Sequence, residues 1–436
     1  MNRRIALISE HASPLAVLGG VDAGGQNVYV AQVARELAAL GDRVDVYTRR
    51  DDPELPTVVD VGRGYRVIHV PAGPAEPVAK EQLLPHMQPF FEWMLRDWTS
   101  NGRRYDLVHA NFFMSGQVAA DLRATLGVPY VVTFHALGKV RRLYQGPDDG
   151  FPKERDVVET RVVREADRII AECPQDQLDL IRLYGADPAR ISLVPCGYDP
   201  HEFPAQDQAA ARRSLGLDPD ELVVLQLGRL VPRKGVDTVI EAVARLRREH
   251  GIRARLLIVG GSQRHPDPRH DPELQRLMEL AETEGATDLV TFVGRRDRAE
   301  LATYYGAADV FVSTPWYEPF GITPLEAMAS GTPVIGSDVG GLRYTIRHGE
   351  TGFLVPPRDA DALAGQLARV LADPELRARI VENAMQRVRA NFTWRNVTEQ
   401  LAAVYDEVAE RRPAISTRTA PTPVAVRRPA VTTPAP

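Results

Sequence analysis

Glu318-Pro319-Phe320-Gly321-Ile322-Thr323-Pro324-Leu325-Glu326 decides how this chain is read. The apolar run Val310-Phe311-Val312 ahead of it has the character of a buried strand. The residues after Gly321 open a helix expected to end near Gly331. Glu318 therefore falls in the loop leaving a strand and Glu326 on the following helix. Both can face one crevice at the carboxyl edge of a parallel sheet, where open α/β sheets bind ligands. Paired acids beside glycine amides suit a ligand rich in hydroxyls, because carboxylates accept hydrogen bonds and amides donate them. A capping acid plus an unrelated surface glutamate is the plainer alternative.

Working outward, short apolar strands alternate with amphipathic helices through both halves. The first half offers strands at Ile5–Ser9, Val44–Thr48, Val67–Val70, Leu107–Ala110, Tyr130–Phe134, Ile169–Ala171 and Ser192–Val194. Between them lie helices such as Asn27–Leu40 and Glu154–Ala166. The second half offers Val223–Leu227, Leu256–Val259, Val290–Val293, Val310–Val312 and Pro333–Ile335, with helices such as Thr238–His250 and Pro272–Glu284. This alternation predicts an α/β protein with two doubly wound parallel sheets, a Rossmann-like domain over 1–200 and another over 201–411. The Pro195–Pro204 stretch is the expected linker, and the cleft between the domains a natural ligand site. Residues 412–436 turn to Pro, Thr, Ala, Val and Arg without periodicity, which predicts a disordered tail.

Composition sets limits. At 436 residues the chain exceeds one ordinary core, and 44% hydrophobic with 25% charged residues fits a soluble globular protein. A net charge of −5 gives no reason to expect a nucleic-acid partner. No apolar run approaches membrane-spanning length, and Met1–Arg4 leads straight into a strand, so a cytoplasmic protein without an integral membrane segment is expected. Cys173 and Cys196 form no CxxC pair and are expected to be reduced and buried.

Three further motifs bear on chemistry. Gly19-Gly20-Val21-Asp22-Ala23-Gly24-Gly25-Gln26 follows the first strand and precedes a helix, where glycines let a ligand approach and the helix N-terminus attracts phosphate. It is not GxGxxG, and Thr48-Arg49-Arg50 stands where a ribose-binding acid would close a dinucleotide site. Gly228-Arg229-Leu230-Val231-Pro232-Arg233-Lys234-Gly235 occupies the corresponding turn of the second domain. Arg229 and Lys234 there either clamp a diphosphate or are ordinary solvated cations. Thr133-Phe134-His135-Ala136-Leu137-Gly138-Lys139 places His135 just past a strand end, over the crevice, as a substrate contact or a structural histidine. His265 and His270, near Asp267 and Asp271, lie in a proline-rich loop that argues for solvent exposure over a metal site.

Taken together, these residues resemble the group 1 retaining glycosyltransferases of the GT-B fold over roughly residues 4 to 410. Glu318–Glu326 is similar to that family's Glu-x7-Glu signature, and Gly228–Gly235 to its G-R-L-x-x-x-K-G segment. The GG-x-D-x-GGQ run and Lys80-Glu81-Gln82-Leu83 are similar to the sucrose-phosphate synthase and mycothiol-pathway inositol-phosphate glycosyltransferase subgroups. The resemblance implies a donor, a nucleotide-diphosphate sugar, in the second domain and an acceptor in the first. Glu326 would hold the ribose, while Glu318 with Phe320, Gly321, Ile322 and Thr323 would hold the sugar. Arg229 and Lys234 would take the diphosphate, with Gly24, Gly25 and Gly294 also on the donor side and His135 beside the reacting sugar. Gln26, Lys80, Asn111, Lys139 and Arg142 are the expected acceptor contacts. The last helix, near Trp394–Ala409, would cross back onto the first domain. Two positions depart from the pattern: His109-Ala110-Asn111-Phe112 lacks the second histidine common after the fourth strand, and Leu342-Arg343-Tyr344 follows Gly340-Gly341 where many relatives carry Pro-Glu.

The expected activity is transfer of a hexose, with retention, from a UDP-sugar (GDP-mannose being the alternative) to a small phosphorylated sugar or inositol. No metal is expected, since two cations already face the diphosphate, and a homodimer is compatible with the fold. The competing readings are a nucleotide-sugar epimerase of the same fold and a non-catalytic nucleotide-sugar-binding protein.

Overall fold

The computed structural model describes residues 2–16, 24–62 and 64–410. The expectations for Gly19–Ala23 and for the tail lie outside the described residues. Among those described, fourteen strands form two sheets: β1 (Arg4–Ile8), β2 (Arg43–Arg49), β3 (Val58–Gly62), β4 (Tyr65–Val70), β5 (Leu107–Asn111), β6 (Tyr130–Thr133), β7 (Arg168–Ala171), β8 (Ile191–Leu193), β9 (Leu222–Leu227), β10 (Ala254–Val259), β11 (Val290–Gly294), β12 (Val310–Ser313), β13 (Val334–Ser337) and β14 (Phe353–Val355). The first sheet runs β3-β4-β2-β1-β5-β6-β7-β8 and the second β11-β10-β9-β12-β13-β14.

Every pairing is parallel except β3 with β4. The antiparallel β3 corrects the expectation of a purely parallel first sheet. It is a short, largely exposed edge strand, so it lacks the continuous apolar run that marked the buried strands.

In each sheet the winding reverses beside one strand. Strand β1 lies between β2 and β5, and β9 between β10 and β12, so successive connections leave on opposite sides. Loops at such a reversal splay apart and leave a crevice at the carboxyl ends of the strands. The two crevices face each other. Helix α1 (Gly25–Ala39) follows β1, and helix α2 (Gly138–Gln145) follows β6. Helix α3 (Arg298–Ala307) leads from β11 to β12, and helix α4 (Ile322–Ala329) follows β12.

The last helix, α5 (Trp394–Glu410), binds the first sheet through buried polar contacts. Arg3 donates to Ala402 O and Asp406 Oδ1, both at 2.8 Å, while also pairing with Asp42. Arg168 pairs with Glu407 at 2.7 Å. His109 is fully buried, its ring between Tyr405 Oη at 2.6 Å and Thr133 Oγ1 at 2.8 Å. Trp394 packs edge-on against Tyr29 of α1. None of the described helices is long and apolar enough to cross a membrane.

Burial pushes the His109 pKa down to about 3, from an ordinary value near 6.5. The unfolded chain therefore takes a proton at about pH 6.5 that the folded chain refuses until about pH 3. The stability due to neutral His109 is complete above the first value and lost as pH falls toward the second. Comparing thermal unfolding of the protein and His109→Gln across this range should show the stability difference shrinking with falling pH. A difference that is constant with pH would contradict the assignment.

Candidate functional site

Second-domain residues enter the crevice from two loops, each at the carboxyl end of a strand. After β9 the chain runs through Gly228 and Arg229 to a single tight turn, Pro232–Lys234, and then to Gly235. Gly235 has φ +66°, and a Cβ there would stand 2.0 Å from Thr314 O, so only glycine lets the β9 and β12 loops meet this closely. Thr314 Oγ1 donates to Gly235 O at 2.8 Å and ties the loops together. On the other side, Gly340 has φ +41°, and its absent Cβ would fall 2.1 Å from Glu318 O. Gly341 N donates to that same oxygen at 2.9 Å. The backbone of Glu318 is thus held against the Gly340-Gly341 turn.

The approach of these loops brings Lys234 Nζ onto Glu318 Oε2 in an ion pair. Burial opposes ionisation of Glu318, but Lys234, Arg233 and Arg229 outweigh it and hold its carboxyl below the ordinary range. Burial also depresses the Lys234 ammonium, with Arg233 and Arg229 pushing the same way and Glu318 opposing. Lys234, Arg233 and Arg229 thus gather around the Glu318 carboxylate at one point of the cleft.

Glu326, on α4, is buried below. Arg298 Nη1 pairs with its Oε1 at 2.9 Å, and Tyr305 Oη donates to its Oε2 at 3.0 Å. Phe320, Gly321, Ile322 and Thr323 line the crevice between the two glutamates. Gly294 lies beside this wall, next to Gly260 and Gly261, which also line the cleft. It lines a small hollow with Gly260 and Gly261 at the ends of β10 and β11.

The first domain forms the opposite wall of the same cleft, whose volume is about 840 Å³. The N-terminus of α1 points into it. A Cβ on Gly24 would lie 3.8 Å from Arg229 Nε, and one on Gly25 3.7 Å from Ile322 Cδ1, so helix α1 comes up against Arg229 and α4. Gln26 lines the cleft and donates to Ser9 Oγ and Asn111 O, both at 3.2 Å, joining the ends of β1 and β5.

His135 lies at the cleft wall in a left-handed conformation, φ +57°, that few non-glycine residues adopt. Both ring nitrogens are engaged, Nδ1 with Glu172 Oε1 at 2.8 Å and Nε2 with Asn111 Oδ1 at 3.0 Å. These two contacts fix the orientation of the ring at the cleft wall. Asn111 is buried beneath it and does not line the cleft, so the expectation of an acceptor contact there is not met.

The basic residues of the first domain divide by helix face. Lys80 and Arg141 line the cleft. Lys139 turns the other way, donating to Leu183 O at 2.6 Å with its ammonium over the Tyr184 ring. Arg142 pairs with Asp156 and Asp149. Lys139 and Arg142 therefore do not line the cleft, and the expectation of acceptor contacts from them is not met. Arg141 is itself paired, with Asp149 at 2.5 Å and Glu81 at 3.7 Å.

Several cleft residues carry no local motif. Arg155 is fully buried, paired with Glu159 at 2.8 Å and enclosed by the rings of Phe112, Phe113 and Phe151. Its Nη1 has no hydrogen-bond partner among the described residues. At the mouth, Tyr144 of α2 stacks on Tyr317 at 5.0 Å, and Arg358 lies 3.7 Å over Trp316. Both cysteines are free and buried, Cys196 donating to Glu172 Oε1 at 3.1 Å. Asp267, near His265, pairs with Arg269 and His270, and no group of three metal-ligating side chains occurs among the described residues.

Two Rossmann-like domains facing across a cleft, with acids and cations at the second sheet's reversal, define a glycosyltransferase of the GT-B class. Residues 207–387 match the model of the glycosyl transferases group 1 family, and residues 24–197 match the glycosyl transferase 4-like domain. The chain is 41% identical to a D-inositol 3-phosphate glycosyltransferase of Acidothermus cellulolyticus, over 96% of this chain and 93% of that one. It is similar in structure to sucrose-phosphate synthase from Thermosynechococcus elongatus, with a TM-score of 0.85, 38% identity, and coverage of 93% of this chain and 99% of that one. The fold is also shared with Anabaena HepE in complex with UDP-glucose, at a TM-score of 0.72 and 21% identity, over 93% of this chain and 100% of that one. The protein belongs to the group 1 glycosyltransferases.

Replacing Lys234 removes a cation from the cluster and takes away the ion-pair partner of Glu318. Lys234→Ala should lower the transfer rate at saturating donor by about a hundredfold or more, the scale of one lost charge-stabilising donor. Initial-rate kinetics on a variant that keeps the native circular-dichroism spectrum test this, and a rate within a few-fold of the parent would show the cluster to be misassigned.

Proposed function

We propose that this glycosyltransferase moves a hexose, with retention of anomeric configuration, from a UDP-sugar to a small phosphorylated polyol or sugar. The observation that carries the proposal is the division of one cleft into two walls of different chemistry. The second-domain wall has Arg229 and Lys234 beside Glu318, with Glu326 behind. That is a diphosphate-sized positive site next to carboxylates that suit sugar and ribose hydroxyls. The first-domain wall has Lys80 and Arg141, with Arg155 buried behind Phe112, Phe113 and Phe151, so its cationic side chains suit an anionic acceptor. The named activity of the D-inositol 3-phosphate relatives, and the phosphorylated product named for sucrose-phosphate synthase, support a phosphorylated acceptor.

The proposed step takes place on one face of the sugar. The bond from the anomeric carbon to the diphosphate oxygen breaks as that carbon bonds to the acceptor oxygen. The acceptor's proton passes to the departing diphosphate. Arg229 and Lys234 stabilise the charge growing on the leaving group. Glu318, held by Lys234, serves as an oriented acceptor for sugar hydroxyls, and His135 bounds the sugar's position. With positive charge supplied by the protein, the proposal includes no metal. The epimerase alternative is disfavoured because the first-domain wall carries its own polar groups, which a reaction confined to the donor would not use.

A phosphorylated acceptor should be used about ten- to a hundredfold better, by kcat/KM, than its dephosphorylated form, as one or two charge-assisted contacts would give. Lys80→Ala should shrink the preference, whereas Arg142→Ala, whose partners are Asp149 and Asp156, should leave it intact. Equal use of the neutral acceptor, unchanged in Lys80→Ala, would overturn the acceptor assignment.

A further inference from the structure

Glu326 is only 2% exposed, and both its oxygens are engaged by protein, Oε1 by Arg298 and Oε2 by Tyr305. A carboxylate oxygen can accept twice, so one position on each is left for a ligand. Arg298 opens α3, and its guanidinium lies 4.8 Å over the ring of Phe203, which packs edge-on against Tyr305. On the side away from Glu326, Arg298 Nε donates to Glu202, in the segment that joins the two domains. Glu202 Oε1 in turn accepts from Gln32 Nε2 of α1 at 3.2 Å. Arg298 Nη2 is buried with no hydrogen-bond partner among the described residues. One guanidinium therefore stands between the carboxylate at the donor site, the interdomain segment and the helix whose N-terminus faces the donor.

Without a fixed partner, a carboxylate this buried would have no set orientation and could turn toward water. Arg suits the role because its planar fork can bind two carboxylates at once in set directions, which an ammonium on a flexible stem cannot. We propose that Arg298 is a positioning residue that presents the Glu326 carboxylate, in one orientation, to the ribose diol of the donor nucleotide and links it through Glu202 to helix α1. The proposal rests on the assignment of Glu326 to the ribose, so its test separates the two.

The readout is calorimetric titration of the full chain with UDP and with 2′-deoxy-UDP, or with the guanosine pair if GDP binds more tightly. The ratio of the two affinities reports contacts to the diol and is insensitive to general loosening of the fold. The parent protein should prefer the ribonucleotide by about tenfold or more, the worth of a hydrogen bond to a charged group. Glu326→Gln should collapse the ratio. Arg298→Met should bring it to within about threefold of unity, with Arg298→Lys intermediate because it keeps a charge but loses the fork. If Arg298→Met does not fold, Arg298→Lys alone decides. A parent-like ratio in the Arg298 variant, with Glu326→Gln collapsed, overturns the positioning role. A parent-like ratio in Glu326→Gln instead overturns the ribose assignment beneath it.

Discussion

The ion pair of Lys234 with Glu318 depends on two loops meeting where the second sheet reverses its winding. Parallel order alone would leave those loops apart. The absence of side chains at Gly235 and Gly340 lets Thr314 and Glu318 backbone carbonyls approach to distances that any Cβ would forbid. The pair is not isolated, because Arg229 and Arg233 outnumber its carboxylate. A buried pair is weak evidence for stability, since its desolvation offsets much of its attraction. A perturbed pair gathered with further cations at a cleft marks a candidate functional site instead.

The first domain is arranged around that cluster. Helix α1 brings its N-terminus to Arg229, and α5 fixes α1 and β5 from behind through Trp394 and through the Tyr405–His109 bond. The two crevices therefore share one space, and contacts at its mouth, such as Tyr144 on Tyr317, join the domains directly. Group transfer needs such an enclosed space, because donor and acceptor must be aligned and water excluded. The Arg298–Glu202–Gln32 chain is a second connection, made of one ion pair and one hydrogen bond.

Much of this was legible in the sequence because the informative features are local. Glu318 and Glu326 are separated by one turn and the start of a helix, so period and turn residues alone placed them on loop and helix. The glycines at 228 and 235 likewise marked a close turn. Strands β3 and β14 were missed for a physical reason: each is short, and β3 is largely exposed, so neither forms a long apolar run. The basic residues of α2 were misread because composition does not give direction. Arg141, Tyr144 and Gln145 share the cleft face at helical spacing, whereas Lys139 and Arg142 lie on other faces. Arg298 and Arg155 carried no signal, since a partner such as Glu202 is 96 residues away from Arg298 and is reached only through the fold.

The central claim is that a sugar crosses this cleft, from the cationic wall to the acceptor wall, without inversion. Proton NMR of the product formed from an α-configured UDP-hexose tests it most directly. Retaining transfer should give one transferred sugar per nucleotide released, with the anomeric signal of an α-glycoside. A β-glycoside, or an epimerised donor with no transfer to the acceptor, would contradict it.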